Sequence, residues 1–121
     1  MNVRHCGMFV KDLIKSVNFY KQLGFVEYYN NIEKWNYFGE LKISKLKSEN
    51  GFNIELIESD KVNELNDKHH IALEVENVDD IYNKLKDNFN FIITPTISPD
   101  GSAKVAFFKG YENYIELVEI L

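Results

Sequence analysis

The chain has 121 residues, 45% hydrophobic and 27% charged, enough to bury a core in one domain of two small modules. Its net charge of -5 without a basic patch excludes a nucleic-acid partner, and no apolar run is long enough to span a membrane. "MNVRHCGMFV" lacks a signal-peptide pattern, and the single cysteine, Cys6, excludes an internal disulfide and a Cys-rich metal site, so a reducing cytoplasm is the expected location.

His5 to Val10 alternates as a strand should. Asp12 is placed to cap a helix and Gly24 to end it; Leu13, Ile14, Val17 and Tyr20 fall between them on one side at helical spacing. Phe25 to Tyr29 and Leu41 to Leu46 read as strands. Asn50 and Gly51 form a hairpin turn that delivers Phe52 to Glu58 as the next strand. Ser59 to Lys68 is polar, lacks apolar periodicity and reads as a linker. A second series follows: strand His70 to Val75, a helix after Asn77 with Val78, Ile81, Tyr82 and Leu85 on one face, a strand from Phe91 to Thr94 ended by Pro95, and strands Lys104 to Phe108 and Tyr114 to Ile120. Pro99, Asp100 and Gly101 make a turn ahead of Lys104.

The two series repeat each other. His5 falls on His70, Val10 on Val75, Asp12 on Asn77 and Leu13 on Val78, at an offset of 65 residues. The word "NIEL" returns as "YIEL", with Glu55 and Glu116 offset by 61. The predicted class is therefore α+β, a βαβββ module written twice. Module 1 covers residues 1–58, the linker 59–68 and module 2 residues 69–121.

Side chains alternate across a strand, so the apolar sets decide which way the polar residues point. Cys6, Met8 and Val10 should pack under the first helix, leaving His5, Gly7 and Phe9 on the other face. Ile71, Leu73 and Val75 leave His70, Ala72 and Glu74 opposite. Ile54 with Leu56, and Ile115 with Leu117, turn Glu55 and Glu116 away from the helices. His5, Glu55, His70 and Glu116 thus share the helix-free side. Two imidazoles and two carboxylates suit a divalent ion, which would also offset the cost of burying two acids. The ordinary alternative for each alone is an exposed sheet residue or a hydrogen-bonded histidine. His69 points to the other face and reads as structural or exposed.

"HCGMFVKDLIKSVNFYKQLGF", "HHIALEVENVDDIYNKLK" and "KVAFFKGYENYIELVEI" together resemble the vicinal oxygen chelate superfamily over essentially the whole chain. That superfamily includes glyoxalase I, methylmalonyl-CoA epimerase, fosfomycin-resistance enzymes, extradiol dioxygenases and bleomycin-resistance proteins. The resemblance implies two βαβββ modules forming a curved, half-open barrel, helices outside, around one divalent metal. Nickel, cobalt or zinc come first, then iron or manganese. It implies His5, Glu55, His70 and Glu116 as ligands. Bleomycin-binding relatives lack the ligands and epimerases usually carry glutamine at the place of Glu55, so the complete set looks most like bacterial glyoxalase I. By resemblance, substrate oxygens or an enediolate bind the metal while a carboxylate moves a proton between neighbouring carbons. Glu116 is then the base and Glu55 its near-symmetric partner. A homodimer is implied as well.

The sequence departs from glyoxalase I where that enzyme holds glutathione. Phe9 stands in place of an arginine and Ser59 in place of an asparagine. "KGYEN", Lys109 to Asn113, replaces the usual turn before the last strand. The pocket mouth would be aromatic, with Phe9 beside His5 and Tyr28, Tyr29, Trp35 and Tyr37 at the rim, although sheet packing or a dimer contact is the commoner role of such rings. Glu74 is a candidate neighbour of His70, and Lys104 or Lys109 a candidate basic contact. The expected function is a metal-dependent lyase or isomerase acting on a small α-oxygenated carbonyl or thioester-related compound. A non-catalytic small-molecule or drug-binding protein, or an epimerase, is the alternative.

Overall fold

The computed structural model describes residues 1–65 and 68–121. It resolves into two compact units, one of His5–His69 and one of Met1–Arg4 with His70–Leu121. Each contains one covering helix and four strands in βαβββ order, the α+β class read from the sequence.

The first unit holds β1 (Asn2–Phe9, whose first three residues group with the second unit), α1 (Leu13–Gln22), β2 (Val26–Trp35), β3 (Gly39–Lys47), β4 (Asn53–Ser59) and the single turn α2 (Val62–Leu65). Its strands run in the order β2-β3-β4-β1. β1 and β4 are parallel, with Cys6 opposite Ile54 and Gly7 opposite Glu55; the other pairs are antiparallel. Asp12 starts α1 by accepting the Lys15 N–H at 3.0 Å, and Gly24 follows the helix at φ 100°. Leu13 and Val17 bury against Leu46, Ile54 and Leu56, with Met8, Val10, Tyr20 and Phe25 packed around them. Burying each such side chain is worth about 1.5–3 kcal/mol.

The second unit holds β5 (His70–Glu74), α3 (Val78–Leu85), β6 (Phe91–Ile97), β7 (Ala103–Lys109) and β8 (Tyr114–Ile120), in the order β5-β8-β7-β6. Asn77 caps α3 as Asp12 caps α1, accepting the Asp80 N–H at 3.0 Å. Val78 buries against Val75, Ala106, Phe108 and Leu117, flanked by Leu73, Ile81, Leu85 and Ile115. The apolar faces follow the alternation except at Ile71, expected under the helix but 37% exposed and outside this cluster.

Four further local expectations change. β2 runs to Trp35 instead of stopping at Tyr29, because its polar second half is carried by a ladder to Gly39–Ser44. β6 continues through Pro95, where the register with β7 skips between Ile93 and Thr96, so the missing N–H costs no ladder bond. Ile14 is 75% exposed, turned away from the Leu13–Val17 stripe. The linker contains α2, whose Leu65 is buried; its residues 66–67 lie outside the described residues.

Candidate metal centre

In the first unit the parallel register of β1 on β4 sets His5 diagonally across from Glu55, on the face away from α1. His5 Nε2 lies 3.2 Å from Glu55 Oε2, with the two side chains 13% and 14% exposed. In the second unit β5 on β8 has the same register one repeat later: Ile71 faces Ile115 and Ala72 faces Glu116. His70 Nε2 lies 3.6 Å from Glu116 Oε1, with side chains 5% and 17% exposed. The Phe107 ring meets the His70 ring edge-on at 5.0 Å and stacks on Tyr114 at 5.5 Å. Each unit therefore builds one imidazole–carboxylate pair, largely withdrawn from water, on its helix-free face. Imidazole nitrogen and carboxylate oxygen are the donor types that divalent zinc, nickel and cobalt accept, so the residues present fit such an ion.

The other sequence candidates fall in different places. Phe9 shares the His5 face but is 4% exposed and packs on Phe38 at 5.5 Å; its backbone N–H donates to His69 Nδ1 at 3.2 Å. The Trp35 indole N–H donates to Glu33 Oε1 at 3.0 Å, while the Tyr29 hydroxyl donates to Glu33 Oε2 at 2.9 Å. Glu74 is ion-paired with Arg4 at 3.0 Å, both side chains two-fifths exposed. Lys104 stands across β7–β8 from Glu119, on the helix side, and bonds Asp79 in the first turn of α3. The hydrogen bond that Lys104 donates to the Asp79 carboxylate raises the Lys104 pKa. Lys104 therefore lies on the opposite face of its strand pair from Glu116, because β-strand parity governs where its side chain goes.

Two residues escaped the sequence reading. Glu58 Oε1 accepts the Leu13 N–H at 3.0 Å, and Glu119 Oε1 accepts the Val78 N–H at 2.9 Å. Each carboxylate reaches from the last strand of its module to the open N-terminus of the covering helix. The signal was available: the offset of 61 that relates Glu55 to Glu116 also relates Glu58 to Glu119.

Residues 4–107 match the model of the Glyoxalase/Bleomycin resistance protein/Dioxygenase superfamily, and the chain belongs to that superfamily. Comparison with curated proteins gives no match. Among solved structures, methylmalonyl-CoA epimerase from Mycobacterium tuberculosis is similar over 98% of this chain and 87% of its own, at 19% identity and a TM-score of 0.77. A hypothetical protein from Bacillus halodurans C-125 is similar over 99% and 94%, at 22% identity and a TM-score of 0.76. A V278E mutant of glyoxalase I from Zea mays matches 99% of this chain but 43% of its own, at 14% identity and a TM-score of 0.69. These likenesses give the fold. No helix of the described residues is long and apolar enough to cross a membrane.

Proposed function

We propose that the protein is a metal-dependent lyase or isomerase of the glyoxalase I type, which moves a proton on a carbon next to the carbonyl of a small α-oxygenated or thioester-related compound. The observation that carries this reading is the His–Glu pair formed at equivalent register positions of both modules. His5, Glu55, His70 and Glu116 would hold one divalent ion per site, nickel, cobalt or zinc before iron or manganese. Such an ion, when bound, supplies Lewis-acid stabilisation of charge developing on substrate oxygens.

The remaining work falls to the chain's own groups. Glu116 is the proposed base, taking the proton from one carbon and returning it to the next; Glu55 is its counterpart from the other module. Phe107 faces Glu116 across the ladder and, stacked on Tyr114, gives that carboxylate an apolar flank that limits water. The whole chain would act as one domain, as a homodimer in the cytoplasm, with the four ligands drawn from one chain or shared between two.

An epimerase acting on an acyl-CoA thioester is the second reading, favoured by the fold likeness to methylmalonyl-CoA epimerase. A pure binding protein is less well supported, since it needs no paired donors. The deciding experiment is metal analysis of the purified protein, followed by solvent-deuterium exchange on hemithioacetals, acyl-CoA thioesters and fosfomycin as a control. Bound metal with α-proton exchange on a carbonyl substrate is expected. A protein that takes up no divalent ion would overturn the reading.

A further inference from the structure

The helix-free face of the first module carries more than the His5–Glu55 pair. Lys45 stands directly across β3–β4 from Glu55, and Tyr29 directly across β2–β3 from Lys45, so the three side chains share one face. On the other side of Glu55 the register partner is Gly7, which places no side chain beside the carboxylate. Lys45 Nζ sits 4.5 Å over the Tyr29 ring, and Tyr29 is braced through its hydroxyl to Glu33. One row along the same face the motif recurs: Lys47 Nζ sits 5.4 Å over Tyr28, whose hydroxyl donates to Asn53 at 2.9 Å.

Lys86 and Lys109 also lie over rings, Tyr82 and Tyr114, but farther out, at 5.7 and 5.9 Å. Four other lysines are ion-paired instead. Lys15, Lys21, Lys42 and Lys104 lie within ion-pair distance of Asp12, Glu27, Glu58 and Asp79. Among the described residues neither Lys45 nor Lys47 is in an ion pair. Both ammonium groups are held on aromatic rings, which orient a cation weakly and leave its hydrogen-bond donors for another acceptor. Lys45 is half-buried, so an anion that reached it would meet less competition from water than at the exposed Lys47.

We propose that Lys45, with Lys47 beside it, forms an anion-binding subsite next to Glu55, and that the substrate carries a carboxylate or phosphate in addition to its α-oxygenated carbonyl. The proposal rests on the glyoxalase-type reading for the position of the carbonyl end. The preorganised tyrosine rings lower the cost of fixing two flexible lysines when the anion arrives.

Isothermal titration of the nickel-treated protein with three hydroxamates tests it. Acetohydroxamate is neutral, succinomonohydroxamate adds a carboxylate and phosphoglycolohydroxamate adds a phosphate. Wild type should bind at least one anionic probe roughly tenfold or more tighter than acetohydroxamate, and the tighter of the two identifies the anion. Lys45→Met should abolish most of that preference without changing nickel content, and Lys45→Arg should keep it. Absence of any preference in the wild type, or a preference that survives in a Lys45→Met/Lys47→Met double variant, overturns the subsite. Nickel content measured on the same samples reports separately on the metal reading. A preference that persists without bound nickel would sink that reading and leave the subsite standing.

Discussion

The Glu119 carboxylate accepts the backbone N–H of Val78 at 2.9 Å, and it does so from the same strand that presents Glu116 to the opposite face. Its counterpart Glu58 does the same for Leu13 in the first module. One glutamate of each repeated word thus faces the helix and the other faces away from it. They stand three positions apart, an odd interval, so strand alternation sends them to opposite sides.

Glu119→Ala removes a charge-assisted acceptor from a helix start. Urea unfolding should show a loss of about 1–2 kcal/mol. Metal content should be unchanged, because the substitution lies on the helix face. Loss of the ion without loss of stability would contradict this division of labour.

His5→Ala and His70→Ala each delete one imidazole from a pair. We expect each to reduce divalent-metal occupancy, and the double variant to abolish it. Full occupancy in the double variant, measured by elemental analysis, would rule out the ligand assignment.

Asp100 provides a pH signature. Its Oδ1 accepts the Ser102 backbone N–H at 3.0 Å and the Ser102 and Ser98 hydroxyls at 2.7 and 2.8 Å. The Ser102 backbone bond leads in lowering its pKa to about 2, from an ordinary 3.8. A depressed carboxyl stabilises the fold above its unfolded pKa and loses that contribution as pH falls through the folded one. The stability difference between wild type and Asp100→Asn should therefore be constant above about pH 5 and shrink from pH 4 towards 2. Because the group is exposed, the difference will be small. A difference that grows on acidification would refute the assignment.

Catalysis with glutathione hemithioacetals should be poor. Phe9 is packed against Phe38, and Ser59 is buried with its hydroxyl accepting the Lys61 N–H at 3.1 Å. An arginine–carboxylate anchor is charge-assisted and often bidentate, and a phenyl ring cannot replace it. The deficit should appear mostly in KM. Efficiency in the diffusion-influenced range on methylglyoxal with glutathione would defeat the inference from Phe9.

A homodimer is expected in solution, with a slight preference for sites shared between chains. Sedimentation at several concentrations, with metal content measured alongside, separates the cases. A monomer that holds metal at full strength excludes the shared arrangement.

Much of this was legible in the sequence because local rules agreed. Asp12 and Asn77 announced helix starts, and the apolar parity of Ile54, Leu56, Ile115 and Leu117 assigned both faces. What failed depended on partners distant in sequence. Nothing local told that the polar stretch Asn30–Trp35 would be held by β3, or that Pro95 would fall at a register skip. Lys104 looked like any basic residue near a cleft until its strand parity met the first turn of α3. Lys45 escaped notice because its meaning lies in the register that sets it between Glu55 and Tyr29.

The skip around Pro95 has a bearing on assembly. β6 ends the strand order of its module, and a proline there offers no donor to an incoming chain. Any extension of hydrogen bonding across that border would meet an interrupted template. β2, which ends the order of the other module, carries no proline across its ten residues. Of these two terminal strands, β2 is the one without a proline, its Ile32 N–H held by Asn31 Oδ1 at 2.8 Å, so a crosslink introduced at exposed Ile32 should capture paired chains where one at Ile97 should not.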